Sequence, residues 1–289
     1  MNSCLVLGFF DGIHIAHRAV IMSSVEFAKN NNSKSTLVTF KNSPAEFFGS
    51  TIKYITSREN SLKRIKAMGV DKIIELNFKD IANNSAEEYI NYLVKTFSPI
   101  SISTGFNHTF GKNKSGNSEY LERISQYLGF KYFCIPAQEL DGELISSTNI
   151  KKHIKAGEIE VANKMLGYDF QLEGNVISGK QIGRTIGFPT ANILYPEKIV
   201  EIPFGVYCAT TKIDDKNYNI VLNWGKRPTV DSASEAMLEA HLIDYSGDLY
   251  GRKLTLNIIK KIRDEKKFNN LYELKNQIKK DIEVCLKLS

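Results

Sequence analysis

Only four cysteines occur in the 289 residues, and none of Cys4, Cys134, Cys208 and Cys285 stands in a CxxC pair. That spacing argues against a thiolate metal site or a disulfide framework and predicts reduced, buried thiols. Long apolar runs are missing as well. The stretch 1–10 stops at Asp11 and has no basic leader, and no segment reaches the roughly 18 apolar residues of a membrane span. The reading is of a soluble, cytoplasmic protein with no membrane partner. Charge of one sign is barely in excess: 38 Lys and Arg face 32 Asp and Glu, for +6. Residues 1–150 hold 16 basic against 14 acidic side chains, and residues 151–289 hold 22 against 18. Neither half has the balance of a nucleic-acid-binding domain, so no nucleic-acid partner is expected. Eleven basic residues gather in 252–289 against five acidic ones, which reads as a solvated helix face. What is present is enough to fill cores. The chain is 42% hydrophobic and 10% aromatic, which excludes disordered and fibrous classes, and its length suits two domains.

The first half alternates short β-rich runs with amphipathic stretches. Strands are predicted at 5–7, 36–40, 72–76, 100–104 and 132–135, and helices at 17–29, 57–68, 85–97 and 118–128. That rhythm calls for a parallel, doubly wound α/β sheet. After residue 145 it changes. Two short helices, 148–156 and 158–166, end at Gly157 and Gly167, where glycine supplies a left-handed cap. Strands then follow at 170–177, 191–194, 207–213, 219–222, 238–243 and 253–261, punctuated by turn residues such as Asp214-Asp215. These suggest a small antiparallel barrel or sandwich, closed by a helix over 270–286 with Leu271, Leu274, Ile278 and Ile282 at helical spacing. The domains are expected at 1–167 and 168–289.

Between the first strand and the first helix lies Gly8-Phe9-Phe10-Asp11-Gly12-Ile13-His14-Ile15-Ala16-His17. A helix N-terminus offers unpaired N–H groups and a positive dipole end to an anion, and glycines let backbone approach it. Gly8, Asp11 and Gly12 are the phosphate-loop candidates. His14 and His17, three apart, can donate to phosphate oxygens in a transition state. Taken alone, the pair also fits a strand-to-helix turn with two satisfied histidines. The segment resembles the HxGH signature of the nucleotidylyltransferases, in the version found in bacterial bifunctional riboflavin kinase/FAD synthetases. The resemblance extends to Gly105-Phe106-Asn107-His108-Thr109-Phe110-Gly111 and to Ser146-Ser147-Thr148-Asn149-Ile150-Lys151. It implies that His14 and His17 stabilise the α-phosphate of ATP and the departing pyrophosphate. It also implies that Asn107, Ser147, Thr148 and Lys151 hold the nucleotide, and that Phe110 meets the flavin. Three positions depart from the pattern. Ala16 replaces the glycine of HxGH, Lys151 replaces an arginine and so lacks the bidentate fork, and Lys41 stands where the family has an acidic residue.

The second constellation is Gly179-Lys180-Gln181-Ile182-Gly183-Arg184-Thr185-Ile186-Gly187-Phe188-Pro189-Thr190-Ala191-Asn192. Its glycines can wrap phosphates with backbone N–H groups, yet no Gly-Lys-Ser/Thr ends it, so it is not a Walker A loop. Thr190 can reach a magnesium ion, and Asn192, two residues on, shares its strand face. By composition alone a glycine-rich turn with an incidental Thr and Asn fits equally. The run GRxxGFPTAN is similar to the signature of riboflavin kinases and stands without a substitution. Asn223-Trp224-Gly225-Lys226-Arg227-Pro228-Thr229, then Leu238-Glu239-Ala240-His241, then Ile262-Arg263-Asp264-Glu265 follow in the family's order. The resemblance implies that Gly183, Arg184, Gly187, Pro189 and Asn192 hold the nucleotide and that Thr190 and Asn192 handle Mg2+. It makes Glu239 the general base on the ribityl hydroxyl and places Arg263 beside the flavin. The implied function is bifunctional: ATP-dependent phosphorylation of riboflavin to FMN on the barrel, and adenylylation of FMN to FAD, with release of pyrophosphate, on the parallel sheet. The alternative is a riboflavin kinase whose first domain is not catalytic.

Overall fold

The computed structural model describes residues 2–178, 183, 186–226 and 236–288. The chain divides into two compact units, Met1–Ser147 and Thr148–Ser289.

In the first unit five strands, β1 (Ser3–Leu7), β2 (Lys34–Phe40), β3 (Lys72–Leu76), β4 (Pro99–Gly105) and β5 (Lys131–Ile135), form one parallel sheet in the order β3-β2-β1-β4-β5. The central strand β1 is buried along its whole length, as a strand covered on both faces must be. One face packs α1 (Ile15–Asn30) and α3 (Arg58–Ala67) through Ile21, Val25 and Ile65 onto Val6 and Leu37. The other packs α5 (Ala86–Phe97) and α6 (Ser118–Leu128) through Ile90, Leu93 and Leu121 onto Leu5, Val38 and Ile102. This is the doubly wound, Rossmann-like layer the alternation predicts. Its order reverses beside β1, and ligands of such sheets bind at that end, outside the carboxyl ends of the strands. Two helices of four residues each, α2 (Pro44–Phe47) and α4 (Phe78–Ile81), and a small hairpin of β6 (Glu139–Leu140) and β7 (Glu143–Leu144) were not predicted. One turn of helix or two residues of strand is too short to leave a period in the sequence.

The second unit begins with α7 (Ser147–Ala156), whose first residue closes the first unit, and α8 (Ile159–Leu166). Six strands follow: β8 (Phe170–Ile177), β9 (Ala191–Ile193), β10 (Gly205–Ile213), β11 (Lys216–Lys226), β12 (Ala236–Leu242) and β13 (Lys253–Arg263). They close into an antiparallel barrel in the order β10-β11-β12-β9-β8-β13, which settles barrel against sandwich. Leu254, Leu256 and Ile258 are buried at alternate positions of β13, the period-two pattern of a barrel wall. Asn163 on α8 fastens that helix to the barrel by donating to the Ile258 carbonyl at 2.8 Å and accepting from the Phe170 N–H at 2.8 Å. The closing helix is α9 (Leu271–Lys287).

The cysteine expectation of reduced, buried thiols holds for Cys4 alone: two of the others are bonded and Cys134 is exposed. Cys208 on β10 and Cys285 on α9, 77 positions apart in sequence, are joined by a disulfide among Val206, Val221, Ile243, Ile262 and Ile282. Cys4 is free and buried, and Cys134 is free and exposed. No spacing rule reveals a bond between a strand and a helix so far apart; only closure of the barrel brings them together. A cross-link closing so long a loop restricts the unfolded chain by about 4 kcal/mol. Scanning calorimetry should therefore show the barrel's melting midpoint falling on thiol reduction or with Cys285→Ser. An unchanged midpoint after reduction would mean that the bond is not formed in solution.

Candidate active sites

The turn from β1 into α1 is made by two consecutive residues in the left-handed region, Gly12 (φ 83°) and Ile13 (φ 42°). A Cβ on Gly12 would come within 2.9 Å of Ile55 Cδ1, so both conformation and space require glycine. The β-branched Ile13 costs about 1–3 kcal/mol in that region, and Arg18 Nε–H bonds to its carbonyl at 3.3 Å. Asp11 brackets the loop. Its Oδ1 accepts the Ile55 N–H at 2.9 Å and its carbonyl accepts the Ser147 hydroxyl at 3.0 Å. Gly8 N–H donates to the Val38 carbonyl at 3.3 Å.

His14 is the N-cap of α1: its Nδ1 accepts the His17 N–H at 3.3 Å. Because Nδ1 must present a lone pair there, the proton of the neutral ring sits on Nε2, which leaves a donor for a ligand oxygen. The two rings stack with centroids 3.5 Å apart and planes 18° apart. Burial lowers the His14 pKa to about 4, and burial plus the neighbouring His14 drives His17 well below its usual value. Both rings are neutral donors at physiological pH. Two stacked histidinium ions in a buried turn would repel each other.

On the β4 side, Asn107 is exposed in the turn after the strand. Phe110 is buried against Tyr89 and Tyr120 with Gly116 under its ring, so it shapes the loop from within the core. Ser147 belongs to the loop cluster through Asp11. Thr148 and Lys151 lie on α7 in the second unit.

In the barrel, β9 and β12 place Asn192 directly opposite Glu239, and β11 places Asn223 on Glu239's other side. Register partners share a sheet face, so Asn192, Glu239 and Asn223 form a polar row across three strands. Leu238 and Ala240, the neighbours of Glu239, point to the opposite face and are fully buried. The Gly183 carbonyl accepts N–H groups from Ile186 (3.3 Å) and Phe188 (2.8 Å), which folds the loop back on itself. A Cβ on Gly183 would strike the Phe188 carbonyl and touch Thr190 Oγ1, so the glycine lets the loop close on Thr190. Gly187 has φ 86°, and Pro189 and Thr190 are exposed. His241, two residues beyond Glu239, is hydrogen-bonded through Nδ1 to the Pro189 carbonyl at 2.8 Å and meets Phe188 edge-on. It ties the Thr190 segment to the strand of Glu239. Arg184 and the run 227–229 lie outside the described residues.

Arg263 is engaged elsewhere. Its Nε and Nη2 donate to the buried Asp281 of α9, at 2.8 Å for the shortest contact, and Gln277 donates to the same carboxylate at 2.9 Å. Trp224 is buried between Tyr195 and Phe204 and donates its N–H to the Ile202 carbonyl at 3.1 Å. The sequence reading missed His241 and Asp281. The first sits inside a quoted motif, and the second is an unremarkable acidic residue on an amphipathic helix. Thr190, Asn192 and Asn223 supply the hard oxygen donors that magnesium takes alongside substrate phosphates. Among the described residues no group of three His, Cys, Asp or Glu can cage a metal by itself.

Family models match the two units separately, FAD synthetase over residues 1–149 and riboflavin kinase over 166–289. The bifunctional riboflavin kinase/FMN adenylyltransferase of Buchnera aphidicola subsp. Schizaphis graminum is 34% identical over 99% of this chain and 94% of its own. That of Bacillus subtilis is 30% identical over 97% and 90%. The chain belongs to the bifunctional riboflavin kinase/FMN adenylyltransferase family. Its parallel sheet is the FAD synthetase domain and its barrel the riboflavin kinase domain. With both domains present and relatives carrying the double name, a kinase with a silent first domain is not favoured. A solved structure described as a macrolide-efflux protein from Streptococcus pneumoniae is also similar, at 29% identity and a TM-score of 0.91, over all of this chain and 95% of its own. Among the described residues no helix is long and apolar enough to cross a membrane.

Proposed function

We propose that FMN is made at the polar row of the barrel and converted to FAD at the histidine turn of the sheet. The observation that carries the first assignment is the register of Glu239 between Asn192 and Asn223. Glu239 accepts the proton of the riboflavin 5′-hydroxyl as that oxygen attacks the γ-phosphate of ATP, and ADP leaves. Gly183, Arg184, Gly187 and Pro189 line the nucleotide, and Thr190 and Asn192 hold Mg2+ against its phosphates. Bound there, Mg2+ neutralises the charge that builds on the phosphoryl oxygens. In the sheet domain an FMN phosphate oxygen attacks the α-phosphorus of ATP. The new bond joins the two phosphates, and the bond to the β-phosphate oxygen breaks to release pyrophosphate. His14 Nε2–H and His17 stabilise the α-phosphate and the leaving group, with Asn107, Ser147, Thr148 and Lys151 on the nucleotide. Among the described residues neither site pairs a nucleophilic side chain of the protein with a base, so both transfers are read as direct, with no covalent enzyme intermediate.

Arg263 and Phe110 act on the flavin through the segments they brace. The catalytic modules meet near residue 167, since the family matches end at 149 and resume at 166. ATP and small flavins as substrates fit a cytoplasmic enzyme without nucleic-acid or membrane partners. Purified protein with ATP and magnesium, given riboflavin, should yield FMN and then FAD by chromatography. FMN accumulating without FAD would mean that Ala16, Lys41 and Lys151 have silenced the first domain.

A further inference from the structure

His241 shares a face of β12 with Glu239, yet the two transfers above give it no role. Pairing between β12 and β9 joins Leu238 to Ile193, Glu239 to Asn192 and Ala240 to Ala191, and stops there. β12 itself runs on, because His241 and Leu242 still pair with Val221 and Ile220 of β11. One more step of the β9 register would set His241 opposite Thr190, and the next would set Leu242 opposite Pro189. Proline has no N–H to give a ladder, so the pairing cannot run through it. Its carbonyl is not left open: the His241 ring takes it at 2.8 Å. A side chain thus extends the ladder where the backbone of a proline cannot.

A carbonyl only accepts, so His241 Nδ1 carries a proton, the reverse of the arrangement at His14. The Phe188 ring meets the imidazole edge-on, and the Phe188 N–H is held by the Gly183 carbonyl at 2.8 Å. Phe188 and Pro189 are therefore held from two sides, by the glycine loop and by β12. Thr190 comes next, exposed, just before the first paired residue of β9. In a trans peptide the N–H points away from the C=O that shares its plane. With the Pro189 carbonyl turned to β12, the Thr190 N–H points away from β12, and its hydroxyl lies 3.4 Å from where a Cβ on Gly183 would stand. The fold does not require an imidazole here. Leu238, Ala240 and Leu242 supply the buried face of β12, and β11 already secures its register.

We propose that His241 is a positioning residue of riboflavin phosphorylation: through the Pro189 carbonyl it fixes the peptide that presents Thr190 to the phosphates of ATP. The inference rests on the reading of Thr190 as the residue that meets those phosphates and their metal. Glu239 stands in its row whether or not the tie is made, because its strand is paired on both sides. Loss of the tie therefore acts on the nucleotide and not on riboflavin or on removal of its proton.

The test uses the full chain, with FMN formation followed at varied ATP and at varied riboflavin. His241→Leu removes the donor. His241→Asn restores one, because its amide nitrogen stands as many bonds from Cα as Nδ1 does, while both variants lose the ring that meets Phe188. In His241→Leu the KM for ATP should rise about tenfold, the worth of one hydrogen bond, with kcat and the KM for riboflavin within about twofold of the parent. His241→Asn should recover most of that loss. ADP, the nucleotide product of this step alone, gives a readout without turnover. The rise it causes in the barrel's melting midpoint should shrink in His241→Leu and return in His241→Asn. In a Thr190→Val background His241→Leu should add little, since the residue it positions is already altered. An unchanged KM for ATP, an equal rise in the KM for riboflavin, asparagine as poor as leucine, or an undiminished effect in the Thr190→Val background would overturn the proposal. So would a barrel that fails to fold with leucine and folds with asparagine, because the bond would then serve folding alone. If Thr190→Val itself leaves the KM for ATP unchanged, the reading of Thr190 falls and the proposal with it.

Discussion

Glu239→Gln should reduce FMN formation from riboflavin about a thousandfold while FAD formation from supplied FMN stays at the parent rate. The substitution keeps the size of the side chain and its ability to hydrogen-bond within the row of Asn192 and Asn223, so strand pairing should persist. What it removes is the carboxylate that takes the hydroxyl proton. A positioned general base contributes typically 10²–10⁴-fold, and without it the attacking alcohol must shed its proton to water. The second activity of the same chain is the internal control. Loss of both together would mean that the division between the two units is wrong. An unchanged rate of FMN formation would remove Glu239 from the chemistry and leave its place in the row a matter of sheet packing. His241 provides a graded comparison, because it acts on the Thr190 segment through the Pro189 carbonyl and the Phe188 ring rather than on the substrate.

How much of this could be read from the sequence depends on which physical signal each feature leaves. Short runs that are mostly apolar or β-branched, such as 72–76 and 100–104, are what strands of such a sheet demand, and the sheet formed where those runs stand. The first helix begins two residues earlier than its apolar period suggests because the His14 side chain caps it. The barrel strands alternate clearly, but alternation does not say which strands are neighbours. Glu239 was therefore legible as a candidate only through the motif around it, and its placement between Asn192 and Asn223 comes from closure of the barrel. The Cys208–Cys285 bond, the Arg263–Asp281 ion pair and the Arg58–Glu75 pair share that difficulty. Each joins residues far apart in sequence and leaves no local trace. Arg263 shows the consequence: its motif pointed to the flavin, whereas its guanidinium grips the closing helix.

At the other site, His14→Asn should lower FAD formation from FMN by about 10²–10³-fold and leave FMN formation intact. Asparagine is chosen because His14 has two duties. It caps α1 through Nδ1, and an alanine there would lose the cap along with the chemistry. An asparagine oxygen can take over the His17 N–H, so the variant removes mainly the Nε2–H donor, whose loss from an oxyanion-type site costs that factor. The pH dependence adds a second reading. Burial holds His14 near 4, burial and the neighbouring His14 hold His17 well below its usual value, and His108 is likewise pushed down to about 4 by burial. Each of these groups has a folded pKa below its unfolded value near 6.5, so between pH 6.5 and 4 the unfolded chain binds more protons. Stability of the sheet domain should hold above about pH 6.5 and fall as the pH drops through that window. In His14→Asn one of the three contributions is gone, so the acid-side decline in the melting midpoint should be shallower than in the parent. A variant with normal FAD output and an unchanged acid limb would show that the ring at position 14 is neither buried as a neutral donor nor part of the transfer.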